Sequence, residues 1–369
     1  MAQEQIRRQG AQKRRTRSVV GAALALVVLA ILVLTAACGS NSSSGSSSAS
    51  PAASAGAPSE LRIGYQLIPN GDLVVKDQKW LETALPNTTI KWVQFDSGAD
   101  VNTAMIAGSV DIGLAGSSPV AAGLSLPSNI PYKVQWIHDV IGAAESLVVK
   151  NSAGISNLQG LVGKKVGTPF GSTSHYSLLA ALKLAGVDST KVDIVDLEPP
   201  DILAAWQRGD IQAAYVWNPT LAQLEKTGKV LVTSAQLAKQ GKLTADLAVV
   251  SNAFAAKYPA AVQTWVDQEN KAVQLYKSDP QTAAAAVGRQ LNLSASEALS
   301  QMKQLILLDA AQQSGPDYLG TPGSPGALAS NLESAAQFLK SQGSIQGVQP
   351  LSVYQADLAN SFAAKTAGK

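Results

Sequence analysis

Two segments of this sequence repeat one strand–helix–strand pattern, and this repeat constrains the fold more than any other feature. The first covers 90–115, where Gly108 ends a predicted helix between two apolar strands. The second covers 192–217, where Gly209 ends a predicted helix between two further apolar strands. Units of this kind build open α/β sheets. The repeat therefore predicts two α/β lobes, with chance similarity between short strings as the alternative.

The N-terminus has the pattern of an export signal. Residues 1–37 carry a net charge of +5, and the stretch 19–37 is apolar and free of charge. Cys38, the only cysteine, follows directly. This order is typical of a bacterial lipoprotein signal in which Cys38 is lipidated, although Thr35 stands where such signals usually have Leu. The alternative is an uncleaved membrane anchor, and both place the body outside the cytoplasm.

The residues after the signal predict a tether and then a soluble body. Residues 38–59 are rich in Ser, Gly, Ala and Pro, a composition that forms flexible linkers. The chain after residue 37 carries a net charge of −2, and no basic stripe is visible in it. We therefore expect no nucleic-acid partner. We predict a monomer held at the outer face of the cytoplasmic membrane.

Hydroxyl-rich turns follow a strand and open a helix in each predicted lobe. Ser117 and Ser118 form the first such turn, and Ser172, Thr173 and Ser174 form the second. Free backbone N–H groups, hydroxyls and the positive end of the helix dipole together bind anions. Ordinary N-capping is the alternative interpretation of each turn.

Two acidic residues stand alone in apolar strands. Glu145 lies in AAESLVVK and Asp246 lies in TADLAVVS, with no basic residue within two positions of either. A buried carboxylate needs a partner, which is either a bound ammonium group or a distant Lys or Arg. Trp217, at the end of a strand, could stabilise an ammonium through its ring or could belong to the core. Together these groups predict a site for a small zwitterion.

The chain lacks the motifs of several other functions. No G-x-S-x-G motif, P-loop or dinucleotide-binding fingerprint is present. One cysteine and two histidines without ligand spacing predict no metal and no cofactor. His175, beside the second hydroxyl turn, could donate to an anion or could be a cap residue. We therefore expect a binding protein rather than an enzyme.

Several stretches resemble the taurine- and alkanesulfonate-binding proteins of ABC importers. The strings that carry the resemblance are YQ (65–66), FDSGADV (95–101), GSVDIG to GSSP (108–119), ESLVVK (145–150), PFGSTSHYSLLAALKLAG (169–186) and PPDILAAWQRGDIQAAYVWNP (199–219). The resemblance covers most of 60–345. It implies a bilobal periplasmic-binding-protein fold, in which two open-sheet α/β lobes are joined by a two-strand hinge. Lobe one would hold 60–144 and 249–369, and lobe two would hold 145–248.

The resemblance also implies a function. It predicts a ligand such as taurine, delivered to a membrane permease and its ATPase. The predicted anion ligands are Ser117, Ser118, Ser172, Thr173 and Ser174, the ammonium ligands are Glu145 and Asp246, the wall is Trp217, and Gln66 and His175 are lesser contacts. The alternatives are a binder of another alkanesulfonate, of nitrate or of an amino acid, and an enzyme of the desulfinase type on the same fold.

Overall fold

The computed structural model describes residues 56–369 of the chain. The predicted signal sequence, Cys38 and most of the predicted tether therefore lie outside the described residues. Within the described part, the chain forms two β-sheets, each packed against helices. The prediction of a bilobal α/β fold is confirmed.

The first sheet has six strands and contains both early and late parts of the chain. In spatial order its strands are Leu305–Ile306, Tyr132–Ile141, Ala245–Ser251, Ile112–Gly116, Glu60–Tyr65 and Thr89–Gln94. Glu60–Tyr65 pairs in parallel with both of its neighbours, as a strand–helix–strand unit requires. The strand Ala245–Ser251 enters antiparallel between Tyr132–Ile141 and Ile112–Gly116.

The second sheet has five strands and is continuous in sequence. In spatial order they are Asp193–Asp196, Lys165–Thr168, Ala213–Trp217, Glu145–Lys150 and Gly228–Thr233. Leu147 and Val149 pack into one apolar cluster and Val148 packs into another, so alternate side chains enter opposite faces. Full burial of each such side chain contributes about 1.5–3 kcal/mol. The sheet is therefore covered on both sides.

Helices flank both sheets, and the C-terminal helices pack on the first. The α-helices are Gly71–Asp77, Trp80–Ala84, Gly98–Ile106, Ser117–Leu124, Thr173–Leu184, Pro199–Arg208, Thr220–Glu225, Ser234–Ala238, Asn252–Lys257, Pro259–Ser278, Pro280–Leu291, Ala295–Met302, Ala310–Gln313, Leu328–Ser341, Leu351–Ala356 and Ser361–Ala367. Short 3-10 helices cover Asn151–Ala153, Leu158–Leu161 and Ser189–Lys191, and a small hairpin pairs Gly320–Thr321 with Ser324–Pro325. Trp265, Leu332 and Ala363 join the apolar core of the first sheet.

Two details differ from the interpretation of the sequence. The pattern of 252–280 predicts one amphipathic helical segment, but the segment is divided at Tyr258 into two helices. Pro259 is the first residue of the second helix, a position that its missing N–H and fixed φ favour. The pattern also places Ile106 on an apolar face with Val101 and Met105, yet Ile106 is 66% exposed whereas the other two are buried.

The chain passes between the sheets twice, between Ile141 and Glu145 and between Thr233 and Ala245. The predicted lobe boundaries stay a prediction. Since Ala245–Ser251 pairs with the first sheet along its whole length, we propose that the second passage ends before Ala245. Within residues 56–369, no helix combines the length and apolar character needed to cross a membrane.

Candidate functional site

A small cavity lies where residues of the two sheets face each other. It is lined from the first sheet by Asp246 and from the second by Glu145 and Trp217. Six of the residues predicted from the sequence line it: Gln66, Glu145, Ser172, Thr173, Trp217 and Asp246. The structure thus brings both predicted acids and part of one hydroxyl turn into a single cavity.

Three helices begin at this cavity. Gly98 is the first residue of its helix, Gly116 is the N-cap of Ser117–Leu124, and Ser172 is the N-cap of Thr173–Leu184. The first backbone N–H groups of a helix lack partners within it, and the helix dipole places partial positive charge there. The convergence of three such ends makes part of the cavity wall suitable for an anion.

Glycine allows these helix ends to come close. A Cβ atom on Gly116 would lie 2.6 Å from Cγ2 of Thr173, and one on Gly98 would lie 2.7 Å from Cγ of Pro119. Neither distance is a possible contact between carbon atoms. The backbones therefore approach to a separation that only glycine permits.

Glu145 is buried and surrounded by hydroxyl groups. It accepts hydrogen bonds from Thr173, from Ser234 at 2.8 Å and from Ser177 at 3.4 Å. Burial raises the pKa of Glu145, and the hydroxyl donors oppose that rise. Glu145 therefore has several neutral donors and joins the second sheet to the helix Thr173–Leu184.

Asp246 is buried without comparable donors. Burial raises the pKa of Asp246 well above its usual value, and the nearby charges of Asp139 and Glu145 raise it further, with no hydrogen bond to lower it. In residues 56–369, the ion pairs formed by Lys and Arg involve none of these three acids. The alternative interpretation, a distant salt bridge, is thus not what the described residues form.

Asp139 is a third acid that the sequence analysis missed. It is the direct cross-strand partner of Asp246 in the antiparallel pair, so two like charges stand opposite each other in a buried position. Burial raises the pKa of Asp139 to about 7, although Asn70 donates a hydrogen bond to it at 3.3 Å. A weaker signal was present in the sequence, because Asp139 lies in an apolar strand, WIHDVI, but directly follows His138.

Four predicted contacts lie behind the cavity wall. Ser117, Ser118 and Ser174 are buried, and the Ser117 hydroxyl accepts a hydrogen bond from the Ala245 N–H at 3.2 Å. His175 accepts from the Gly171 N–H through Nδ1 and stacks on Phe170 at 4.5 Å. Burial lowers the pKa of His175, which favours the neutral ring. Their role as ligand contacts stays a prediction.

Gln66 and Trp217 complete the wall. Gln66 donates to the carbonyl oxygen of Leu114 at 3.0 Å, which fixes its side chain beside the first sheet. Trp217 is the cross-strand partner of Glu145 and ends the strand Ala213–Trp217. The cavity therefore combines helix N-termini, acidic side chains and an indole ring. Such a set can hold the two opposite charges of one small molecule.

Comparison with known proteins agrees with this architecture. Residues 89–283 match the family described as NMT1/THI5 like. The taurine-binding periplasmic protein of Escherichia coli K12 is 46% identical over 192 residues, which is 52% of this chain and 59% of that relative. The alignment thus spans less than two thirds of the relative's length. The resemblance noted in the sequence is confirmed.

Two solved structures illustrate how widely the fold is used. The alkanesulfonate-binding protein SsuA of Xanthomonas axonopodis pv. citri, bound to MOPS, superposes with a TM-score of 0.67 at 21% identity, covering 82% of this chain and 99% of that one. The desulfurization enzyme DSZB superposes with a TM-score of 0.60 at 16% identity, covering 83% of this chain and 98% of that one. At these identities the likeness shows the fold alone.

Proposed function

Since this chain belongs to the NMT1/THI5-like family, we propose that it is the substrate-binding protein of an ABC importer and that its ligand is taurine or a similar small aminosulfonate. The observation that carries this proposal is the pairing, in one cavity, of three helix N-termini with buried acids that have no Lys or Arg partner among the described residues. The identity to a taurine-binding relative supports the same ligand.

The ligand would lie with its two charges at opposite walls. The sulfonate would accept hydrogen bonds from the backbone N–H groups near Gly98, Gly116 and Thr173, where the helix dipoles favour an anion. The ammonium group would lie beside Asp246, which has no other donor, and near Glu145. A charge-assisted hydrogen bond of this kind contributes about 1.5–3 kcal/mol. The indole of Trp217 would cover one side of the amine.

Binding would close the two lobes. The cavity takes its wall from both sheets, so a ligand that contacts both stabilises the closed arrangement. No step of bond breaking is needed, and the closed protein would be the form that a permease recognises. We propose that the chain is not an enzyme, with relatives that are binding proteins as the support.

The proposed location is outside the cytoplasm. Relatives named as periplasmic binding proteins support it, as does the charge pattern of residues 1–37. Lipidation of Cys38 and the tether 38–59 would hold the protein at the membrane surface while the lobes move. Mass spectrometry of the mature N-terminus would test this, because an unmodified Cys38 would contradict lipidation.

Titration calorimetry against a matched pair of ligands tests the function. Taurine and ethanesulfonate both carry a sulfonate, and only taurine carries an ammonium group. We expect taurine to bind more tightly, and we expect Asp246→Asn to lower taurine affinity about 10- to 100-fold with little effect on ethanesulfonate. Asp193→Asn, which removes an exposed carboxylate from the second sheet, is the control and should bind taurine normally.

Two results would contradict the proposal. Equal affinity for the two ligands would remove the role of the acids and favour a binder of alkanesulfonates or nitrate. Turnover of a sulfonate or sulfinate ligand would favour an enzyme like DSZB, whose fold is shared. The desulfinase alternative has little chemical support, since residues 56–369 contain no cysteine to act as a nucleophile.

A further inference from the structure

A second cluster of buried polar side chains lies outside the ligand cavity. It consists of Asp72, His138 and Glu269, each at most 1% exposed. They come from three elements: the helix Gly71–Asp77, the strand Tyr132–Ile141 and the helix Pro259–Ser278. None of the three lines the cavity that holds Asp246. The proposed function therefore assigns no role to this cluster.

Five of the six polar side-chain atoms of the cluster are buried without a hydrogen-bond partner within residues 56–369. Nε2 of His138 lies 3.6 Å from Oδ2 of Asp72, and Nδ1 lies 3.5 Å from Oε2 of Glu269. Both ring nitrogens, both oxygens of Glu269 and Oδ1 of Asp72 are buried without a hydrogen bond. Unpaired buried polar atoms are rare in folded proteins, and a bound ion would give these atoms the partner that they lack.

The two buried carboxyl groups of the cluster also lack a Lys or Arg partner. Two carboxylates are removed from water, and the Lys and Arg ion pairs of residues 56–369 include neither of them. Isolated buried carboxylates are strongly unfavourable. One divalent cation would neutralise both of them at the point where the free oxygens approach the imidazole ring.

The backbone is shaped to form this cluster. Leu247 pairs with Ile137, and the adjacent Asp246 pairs with Asp139. His138 therefore has no partner on the neighbouring strand and is the extra residue of a β-bulge. Bulges redirect a side chain that regular pairing would place elsewhere. At Gly71, a Cβ atom would lie 2.8 Å from Oε2 of Glu269, so a larger residue would displace that carboxylate.

We propose that Asp72, His138 and Glu269 bind one divalent cation, with Zn²⁺ as the best fit. One donor atom of each residue lies within 4.8 Å of those of the others. In a tetrahedral zinc site with bonds of about 2.05 Å the ligand atoms are about 3.3 Å apart, so small side-chain rotations suffice. One ring nitrogen of His138 and one oxygen of each carboxylate would ligate the ion.

The ligand types select among metals. Mg²⁺ and Ca²⁺ prefer sites made of oxygen alone, whereas zinc accepts imidazole together with carboxylates. The ion would join the helix Gly71–Asp77 to the helix Pro259–Ser278 through the strand Tyr132–Ile141, and it would act on stability rather than on ligand binding. The sequence predicts no metal because the three residues are far apart in the chain and have no ligand spacing.

Zinc titration of the full-length chain tests the site. The untagged protein, extracted in detergent and freed of metal by chelation, should bind one Zn²⁺ per chain. Free Zn²⁺ at 100 times its Kd should raise the Tm of the protein by about 5 °C. His138→Gln and Glu269→Gln should each weaken Zn²⁺ binding about 100-fold. Asp193→Asn removes an exposed carboxylate and is the control, so it should bind Zn²⁺ as tightly as the unaltered chain.

The outcomes separate clearly. Absence of tight zinc binding by the unaltered chain, or equal binding by His138→Gln and Asp193→Asn, would overturn the proposal. If the variants fail to fold, Co²⁺ added to the unaltered chain decides: a tetrahedral visible absorption band supports the site, and its absence contradicts it. Taurine is not needed for any of these measurements, so they stand or fall independently of the proposed function.

Discussion

At the scale of single residues, two buried acids of the cavity have different surroundings. Glu145 is held by hydroxyl donors from two other elements, whereas the charged groups that act on Asp246 are further acids. A carboxylate with satisfied hydrogen bonds contributes to the local structure. A buried carboxylate without hydrogen bonds is unfavourable until a cation binds beside it. We therefore expect Asp246 to account for more of the selectivity for an amine than Glu145.

The surroundings of Asp246 predict a pH dependence of binding. Its raised pKa means that the ligand-free protein holds a proton there at pH values where the unfolded chain does not. Asp139 faces it from the neighbouring strand and Glu145 from the second sheet, and neither supplies positive charge. An ammonium group binds the ionised carboxylate, so taurine binding should release protons and strengthen as the pH rises above the ordinary range of a carboxyl group.

Calorimetry in buffers of different ionisation enthalpy would measure this proton release. Asp246→Asn should reduce both the release and the pH dependence, and affinity that is flat with pH in the unaltered chain would contradict the assignment. The stability of the ligand-free protein should change with pH in the opposite direction to taurine affinity. The folded ligand-free state binds the extra proton, so its free energy of unfolding should fall as the pH rises above the unfolded pKa of about 3.9.

At the scale of elements, the close approach of two helix N-termini defines the anion side of the cavity. Gly116→Ala should push the helix Ser117–Leu124 away from Thr173, since the added carbon would lie 2.6 Å from the Thr173 methyl group. We expect a loss of about 1–3 kcal/mol in stability and about tenfold in taurine affinity. Thermal unfolding and calorimetry would measure the two effects.

Gly368→Ala is the matched control for that prediction. A Cβ atom there meets neighbours at 3.7 Å or more, an ordinary contact, and the residue lies at the end of the last helix. It should leave both stability and affinity nearly unchanged. Normal taurine affinity in Gly116→Ala would contradict the role given to the converging helices.

The elements also show what the sequence could and could not reveal. Local patterns were sufficient for the units ending at Ile112–Gly116 and Ala213–Trp217, because apolar strands and glycine stops are encoded nearby. The pairing of Asp139 with Asp246 depends on strand register across the sheet, which no local pattern contains. The β-bulge at His138 is invisible in sequence for the same reason.

At the scale of the whole molecule, the cavity takes its walls from two sheets between which the chain passes twice. Asp246 comes from the first sheet, and Glu145 and Trp217 come from the second. Neither sheet alone holds both walls of the site. A small ligand that contacts both sheets can therefore couple its binding to the closure of the lobes.

A crystal structure of the full-length protein with taurine tests the central claim most directly. We expect the amine nitrogen within about 3 Å of a carboxylate oxygen of Asp246, and the sulfonate oxygens against the backbone N–H groups near Gly116 and Thr173. Taurine bound in the reverse orientation, or outside the cavity lined by Asp246 and Glu145, would contradict the account.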